Sequence, residues 1–143
     1  MDYRKIWTDS DFIDMGWHDA VLYSISLPQA DSAIRFDIDY IFKWHWERET
    51  VLGWDVAPCT LEFNVVSDLR VSLDWQDQGN TSIVNISRKN NRLSKNGKIM
   101  LWDYQIELDV GGISLTSAGF TQNVRKPPIF SISQALHERD DAF

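Results

Sequence analysis

Residues Ile34 to Trp46 read I-R-F-D-I-D-Y-I-F-K-W-H-W. The even positions, Ile34, Phe36, Ile38, Tyr40, Phe42, Trp44 and Trp46, are all apolar. The odd positions are Arg35, Asp37, Asp39, Ile41, Lys43 and His45, so Ile41 alone departs from the pattern. A period of two held this long predicts a β-strand with one face in oil and the other in water. At about 3.3 Å per residue the strand would reach roughly 43 Å, well beyond the usual five or six residues. Such a strand must bend, either to serve two sheets or to wrap a barrel. Tyr40-Ile41-Phe42, apolar on both sides, is the expected bend. By the same alternation Phe36→Asp should unfold the domain and Asp37→Asn should be tolerated.

Working outward, Val21, Tyr23, Ile25 and Leu27 alternate with Ser24 and Ser26 and stop at Pro28. The polar stretch Gln29 to Ser32 then reads as a hairpin loop into the long strand. Glu47 to Pro58, carrying Gly53, Trp54 and Pro58, reads as a loop. Further strands are expected over Thr60 to Val65, Leu69 to Trp75 and Ser82 to Ser87. Arg88 to Lys98 is a basic turn region with an Asn96-Gly97 hairpin signal. A second long stripe runs through Met100, Trp102, Tyr104, Ile106, Leu108 and Val110, with Asp103, Gln105, Glu107 and Asp109 opposite. Gly111-Gly112 reads as a tight turn. The apolar phase then switches from Ile113 and Leu115 to Ala118 and Phe120, which predicts a β-bulge near Ser117 to Gly119. Short helical turns are expected at both ends, one capped by Ser10 over Asp11 to Met15, the other from Ser131 or Ser133 through Leu136. Asp140 to Phe143 reads as a frayed tail. The sum is one all-β antiparallel domain over residues 1–143, a curled β-sandwich or open barrel of seven or eight strands.

Composition narrows the function classes. The 143 residues carry 14 Lys and Arg against 21 Asp and Glu, a formal charge of -7. A nucleic-acid partner needs a basic footprint, so none is expected. No apolar run approaches the roughly 18 residues of a membrane helix. The N-terminal stretch has no apolar signal core, and Cys59 is the one cysteine, so no internal disulfide can form. A cytoplasmic protein, with no membrane partner, is the expectation.

The chemistry-bearing residues are sparse. Asp37 and Asp39 share one face of the long strand. If the two long strands paired, Asp103, Glu107 and Asp109 would join them; the expected reading is a solvated face with Arg35 and Lys43 as partners. His18-Asp19 and His45 have no zinc-ligand spacing, and His18-Asp19 reads as a turn held by backbone hydrogen bonds. Cys59 reads as a buried, inert thiol. Trp44, Trp75 and Trp102 are expected in the core, and Trp54 partly exposed beside Gly53. There is no P-loop and no nucleophile elbow. No catalytic residue, metal or cofactor is therefore expected. The candidate binding residues are Trp54, His45, His18, Asp19, Asp37 and Asp39.

Several segments carry a resemblance. They are Trp17-His18-Asp19-Ala20, Phe36-Asp37-Ile38-Asp39-Tyr40-Ile41, Ala57-Pro58-Cys59-Thr60-Leu61-Glu62-Phe63, Val66-Ser67-Asp68-Leu69 and Ser117-Ala118-Gly119-Phe120-Thr121-Gln122, with Arg125 and Pro127. Together they resemble a family of small bacterial proteins built on a domain of unknown function. In size, acidity and β content the chain is similar to immunity proteins of bacterial toxin systems, a likeness that carries over no functional residue. It implies a non-catalytic protein that binds a protein partner, with acidic strand faces meeting a basic surface. The alternative is a small-ligand-binding β-barrel whose aromatic cleft lies between the sheet and the 47–58 loop. Enzyme activity is the least expected class.

Overall fold

The apolar stripe forms a strand, and it bends where its pattern fails. The computed structural model describes residues 2–77 and 79–140. In chain order the elements are β1 (Ile6–Thr8), a 3-10 helix (Asp9–Asp14), β2 (Val21–Ser26), β3 (Ile34–Glu47), β4 (Thr50–Asn64), β5 (Ser67–Leu73), β6 (Thr81–Leu93), β7 (Met100–Leu108), β8 (Gly111–Ser117), β9 (Gly119–Val124) and β10 (Ile129–Ser131). On β3 the ladder to β4 runs without interruption to Ile41↔Val56 and resumes at Lys43↔Asp55. Phe42 is thus the extra residue of a β-bulge, which bends and twists the strand at the predicted place.

The strands form one antiparallel sheet in the order β1-β9-β4-β3-β2-β6-β7-β8-β5, with β10 added to β4. The sheet is not closed. It curls because two connections carry it from one half to the other. On one side β2 meets β6 through two pairs only, Val21↔Ser82 and Leu22↔Thr81. On the other, β4 passes into β5 and β8 into β9 at the same corner. Val65 takes a left-handed φ of 53° there, and Gly119 takes φ 146°, which favours glycine. The ladder Asn64↔Gly119 of one half is followed by Ser67↔Thr116 of the other.

The enclosed core is aromatic and filled. Phe36, Phe63 and Phe120 of the first half meet Tyr104, Ile106 and Leu115 of the second, and the Phe63 and Tyr104 rings lie 4.9 Å apart. Phe12 from the 3-10 helix and Trp17 close one end against Phe120. Trp17 donates its indole N–H to Gln122 inside the core. The helix is capped at Thr8, not Ser10, with the Thr8 backbone N–H donating to the Asp11 carboxylate at 2.9 Å.

Several expectations are corrected. Among the described residues there are ten strands, because β1 and β10 are added and the 113–121 stretch is broken at Ala118. The 47–58 segment is no loop: β3 turns at Arg48-Glu49 and returns directly as β4. Pro58 sits inside β4 opposite Asp39. In an antiparallel strand a residue's N–H and C=O point the same way, and the Pro58 carbonyl accepts from Arg125 N–H, on the side away from β3. Its missing donor therefore costs the β3 ladder nothing. The turn between β7 and β8 is Asp109-Val110, with Gly111-Gly112 opening β8. Residues 132–140 form no helical turn. The two long stripes never pair, since β3 lies between β2 and β4 and β7 between β6 and β8. Trp75, expected in the core, is 50% exposed. The stability consequence is direct. Phe36→Ala should lower the unfolding free energy by about 3–5 kcal/mol and Trp75→Ala by less than about 1 kcal/mol, read by urea denaturation.

Candidate functional site

Asp37 and Asp39 point to the face of β3 opposite the core, as the alternation requires. That face is nevertheless dry. Asp37 is 4% and Asp39 0% exposed, so the solvated-face reading is overturned. The cover is the chain's own C-terminal segment. Arg139 forks onto Asp37, with Nη1 and Nη2 at 2.8 and 2.7 Å from its two oxygens, and donates from Nε to Asp39 at 3.0 Å. Its guanidinium lies 3.7 Å from the Tyr23 ring centroid. Arg125 donates to Asp37 at 2.8 Å, to Thr60 at 2.9 Å and to Asp140 at 3.0 to 3.2 Å. The second Asp39 oxygen accepts from the Tyr23 hydroxyl and from the Leu136 backbone N–H at 2.9 Å.

Three carboxylates thus face two guanidiniums, and every polar atom of the two buried aspartates is engaged. Burial alone pulls the Arg139 guanidinium down, but the hydrogen bonds and charges of Asp37 and Asp39 outweigh it and hold it above its ordinary value. Burial, then the bond to Asp39, raises the Tyr23 phenol. The hydrogen bond from Arg125 lowers Asp140. Asp37→Asn removes charge from a buried network and cannot be neutral, contrary to the alternation alone. Asp140, expected to fray, is half-buried and paired; residues 141–143 lie outside the described residues.

Some of the other acidic groups are also locally matched. Asp103 on β7 accepts from Asn90, Arg92 and Thr116, which hold its carboxyl down at about 2. Arg35 bridges Asp31 and Glu62. Asp37, Asp39, Glu62 and Asp103 are therefore paired within the chain, whereas Asp68 and Glu107 are exposed on their strands with no ion pair among the described residues. Among the described residues no three His, Cys, Asp or Glu side chains gather as metal ligands would, and no helix is long and apolar enough to cross a membrane.

Beyond the bulge, β3 and β4 continue as a hairpin, and here the remaining candidates assemble in two groups. Trp44 faces Trp54 across the strands, edge-on at 5.7 Å. It also stacks with Trp46 at 6.2 Å and with the exposed His18 imidazole at 6.3 Å. Trp54 is half-buried, while Trp46 is 58% exposed. His18 is held by the Val84 carbonyl, and its neighbour Asp19 accepts from Gln134 of the C-terminal segment. In the second group His45 Nε2 lies 2.7 Å from Asp55, and the ring meets Phe130 of β10 edge-on at 5.1 Å. Gly53 makes that possible: a Cβ there would come within 2.5 Å of the Phe130 ring and 2.7 Å of the Ser131 carbonyl.

Around these groups Trp46, Leu52, Ile129, Phe130 and Ile132 are all exposed. Sequence reasoning missed Leu52, Phe130, Arg125 and Arg139. Glycine opposite histidine on a strand was the one available signal for a ring lying across Gly53. The chain matches no protein-family model, no curated protein and no solved structure. Two cavities lie elsewhere: a larger, polar one of about 880 Å³ over β5 to β8, lined by Arg70, Arg88, Arg92 and Asp103 among others, and a smaller one at the β2–β6 seam. The smaller is about 300 Å³ and is lined by Ile25, Leu73, Trp75, Leu108 and Val110 among others. Gly53→Ala should eject β10 from the edge of β4, costing about 1–3 kcal/mol and exposing Trp54 to acrylamide quenching; unchanged stability and quenching would contradict the close approach.

Proposed function

We propose that this is a non-catalytic binding protein that docks a protein partner around a two-sided apolar platform at the far end of the β3–β4 hairpin. The observation that carries the reading is the collection of exposed large apolar side chains at this end of the sheet: Trp46 on the Trp44–Trp54 face of the hairpin, Phe130 on the opposite, His45 face, and Leu52, Ile129 and Ile132 on the same hairpin, on β10 and just after it. Isolated apolar side chains on a surface are ordinary, but grouping around stacked aromatics on a rigid hairpin is the anatomy of a protein interface. Trp44, flanked by Trp54 and His18, stacks on Trp46, and the His45 ring, paired with Asp55, meets Phe130 edge-on. Pre-set rings lose little side-chain freedom on binding. Asp37 and Asp39 are matched inside the chain, so this reading draws its affinity from apolar contact rather than from them. An immunity-type role, in which a small acidic protein caps a bacterial toxin, is one form such docking takes.

A second reading rests on the seam cavity. Its volume is at the lower end of small-ligand sites, and Trp75 offers a stacking face, so a small apolar ligand fits there. It differs from the cleft expected between the sheet and the 47–58 segment, which is strand.

The docking reading is tested by affinity capture from the organism that encodes the chain. A partner retained by the wild type and by Trp75→Ser should be lost with Trp46→Ser and with Phe130→Ser, each costing about 2 kcal/mol or more, roughly 30-fold in Kd. Retention by both platform variants would overturn it.

A further inference from the structure

β10 is three residues long and pairs only with Trp54 to Val56 of β4. A ladder this short does not hold itself. The segment beyond it, residues 132–140, has no regular structure and crosses the covered face of β3 and β2. Little oil holds this segment down. Ile129, Phe130 and Ile132 are exposed, the last at 80%. The fixings are polar: Gln134 to Asp19, Leu136 N–H to Asp39, and Arg139 to Asp37 and Asp39. Arg125, just before Pro127-Pro128, reaches Asp140 at the other end, so residues 125 and 140 are clipped together with Asp37 between the two arginines.

We propose that residues 129–140 are a strap whose ionic clamp on Asp37 and Asp39 decides whether the Phe130 side of the platform is assembled. The geometry stands by itself; the regulatory consequence rests on the docking reading. With the clamp closed, β10 lies on β4, and Phe130 covers Gly53 beside His45. With the clamp open, β10 loses its support from the C-terminal side. Phe130 and Ile129 then leave the platform, and the β4 edge at Trp54 to Val56 is left unpaired. A partner that docks on the assembled platform binds the closed state alone. By linkage it stabilises the clamp as much as the clamp stabilises it. Buried charge suits this use. It is specific in register and resists salt, yet a single uncompensated charge undoes it.

The test is amide hydrogen exchange on the 143-residue chain. Arg139→Gln should speed exchange at Leu136, at Ile129 to Ser131 and at the facing β4 amides by about tenfold or more, while Ile34 to Ile38 and β9 keep wild-type protection. Asp140→Asn, which loosens only the clip, should show the same pattern at smaller amplitude, and it carries the test if Arg139→Gln does not fold. Phe130→Ala should leave Leu136 protected. Unchanged exchange at β10 in the clamp variants, or faster exchange spread equally through β3 and β9, overturns the strap. If the coupled exchange appears but neither platform variant affects capture, the docking reading fails and the strap stands.

Discussion

Two carboxylates that leave the oil without reaching water set the organisation of this fold. From Phe36 to Ile41 β3 is buried on both faces, by Phe36, Ile38 and Tyr40 on one and by Arg125, Arg139, Tyr23 and the strap backbone on the other. An unpaired buried carboxylate would be prohibitive, so the strap must sit in one register, with Arg139 over Asp37 and Asp39 and Leu136 N–H on Asp39. That register sets the position of β10, and β10 in turn sets the ring of Phe130 over Gly53.

Such a network gives up stability for definition. An apolar cover of the same shape would hold at least as well, because desolvating two aspartates and two arginines consumes most of what their attraction returns. What the charges provide is a single arrangement, satisfied atom by atom, in a segment with no helix or long ladder to fix it. Oil does the opposite work at the bulge. Phe42 is the extra residue there, and it packs against Tyr40 and Trp7, keeping the distal hairpin at a set angle to the body. Platform and strap therefore hang from the same strand on either side of one bend.

Much of this was legible in the chain. Period-two stripes predicted the β3 and β7 strands, and apolar breaks at Tyr40-Ile41-Phe42 and at Ser117 to Gly119 marked the bulge and the corner. The dry second face of β3 was not legible. A strand buried on both sides ordinarily reads as a continuous apolar run, but here the covering segment brings its own cations, so the covered face keeps the composition of a wet one. The partners lie about a hundred positions away in sequence, and nothing local to Asp37 announces Arg139. For the same reason Gly53 and Pro58, which normally punctuate loops, hid a fifteen-residue strand. Glycine serves there to admit Phe130, and proline falls where β3 asks for no donor. Of the site residues named from sequence, Trp54, His45 and His18 converge on the distal hairpin, whereas Asp37, Asp39 and Asp19 converge on the strap.

The central claim is that Asp39 and Arg139 act as one unit, and a double-mutant cycle measures it. Unfolding free energies of the wild type, Asp39→Asn, Arg139→Gln and the double variant should give a coupling of about 1.5 kcal/mol or more, the double variant being far less damaged than the sum of the two single changes. Additivity to within about 0.5 kcal/mol would mean that the strap rests on something other than this clamp.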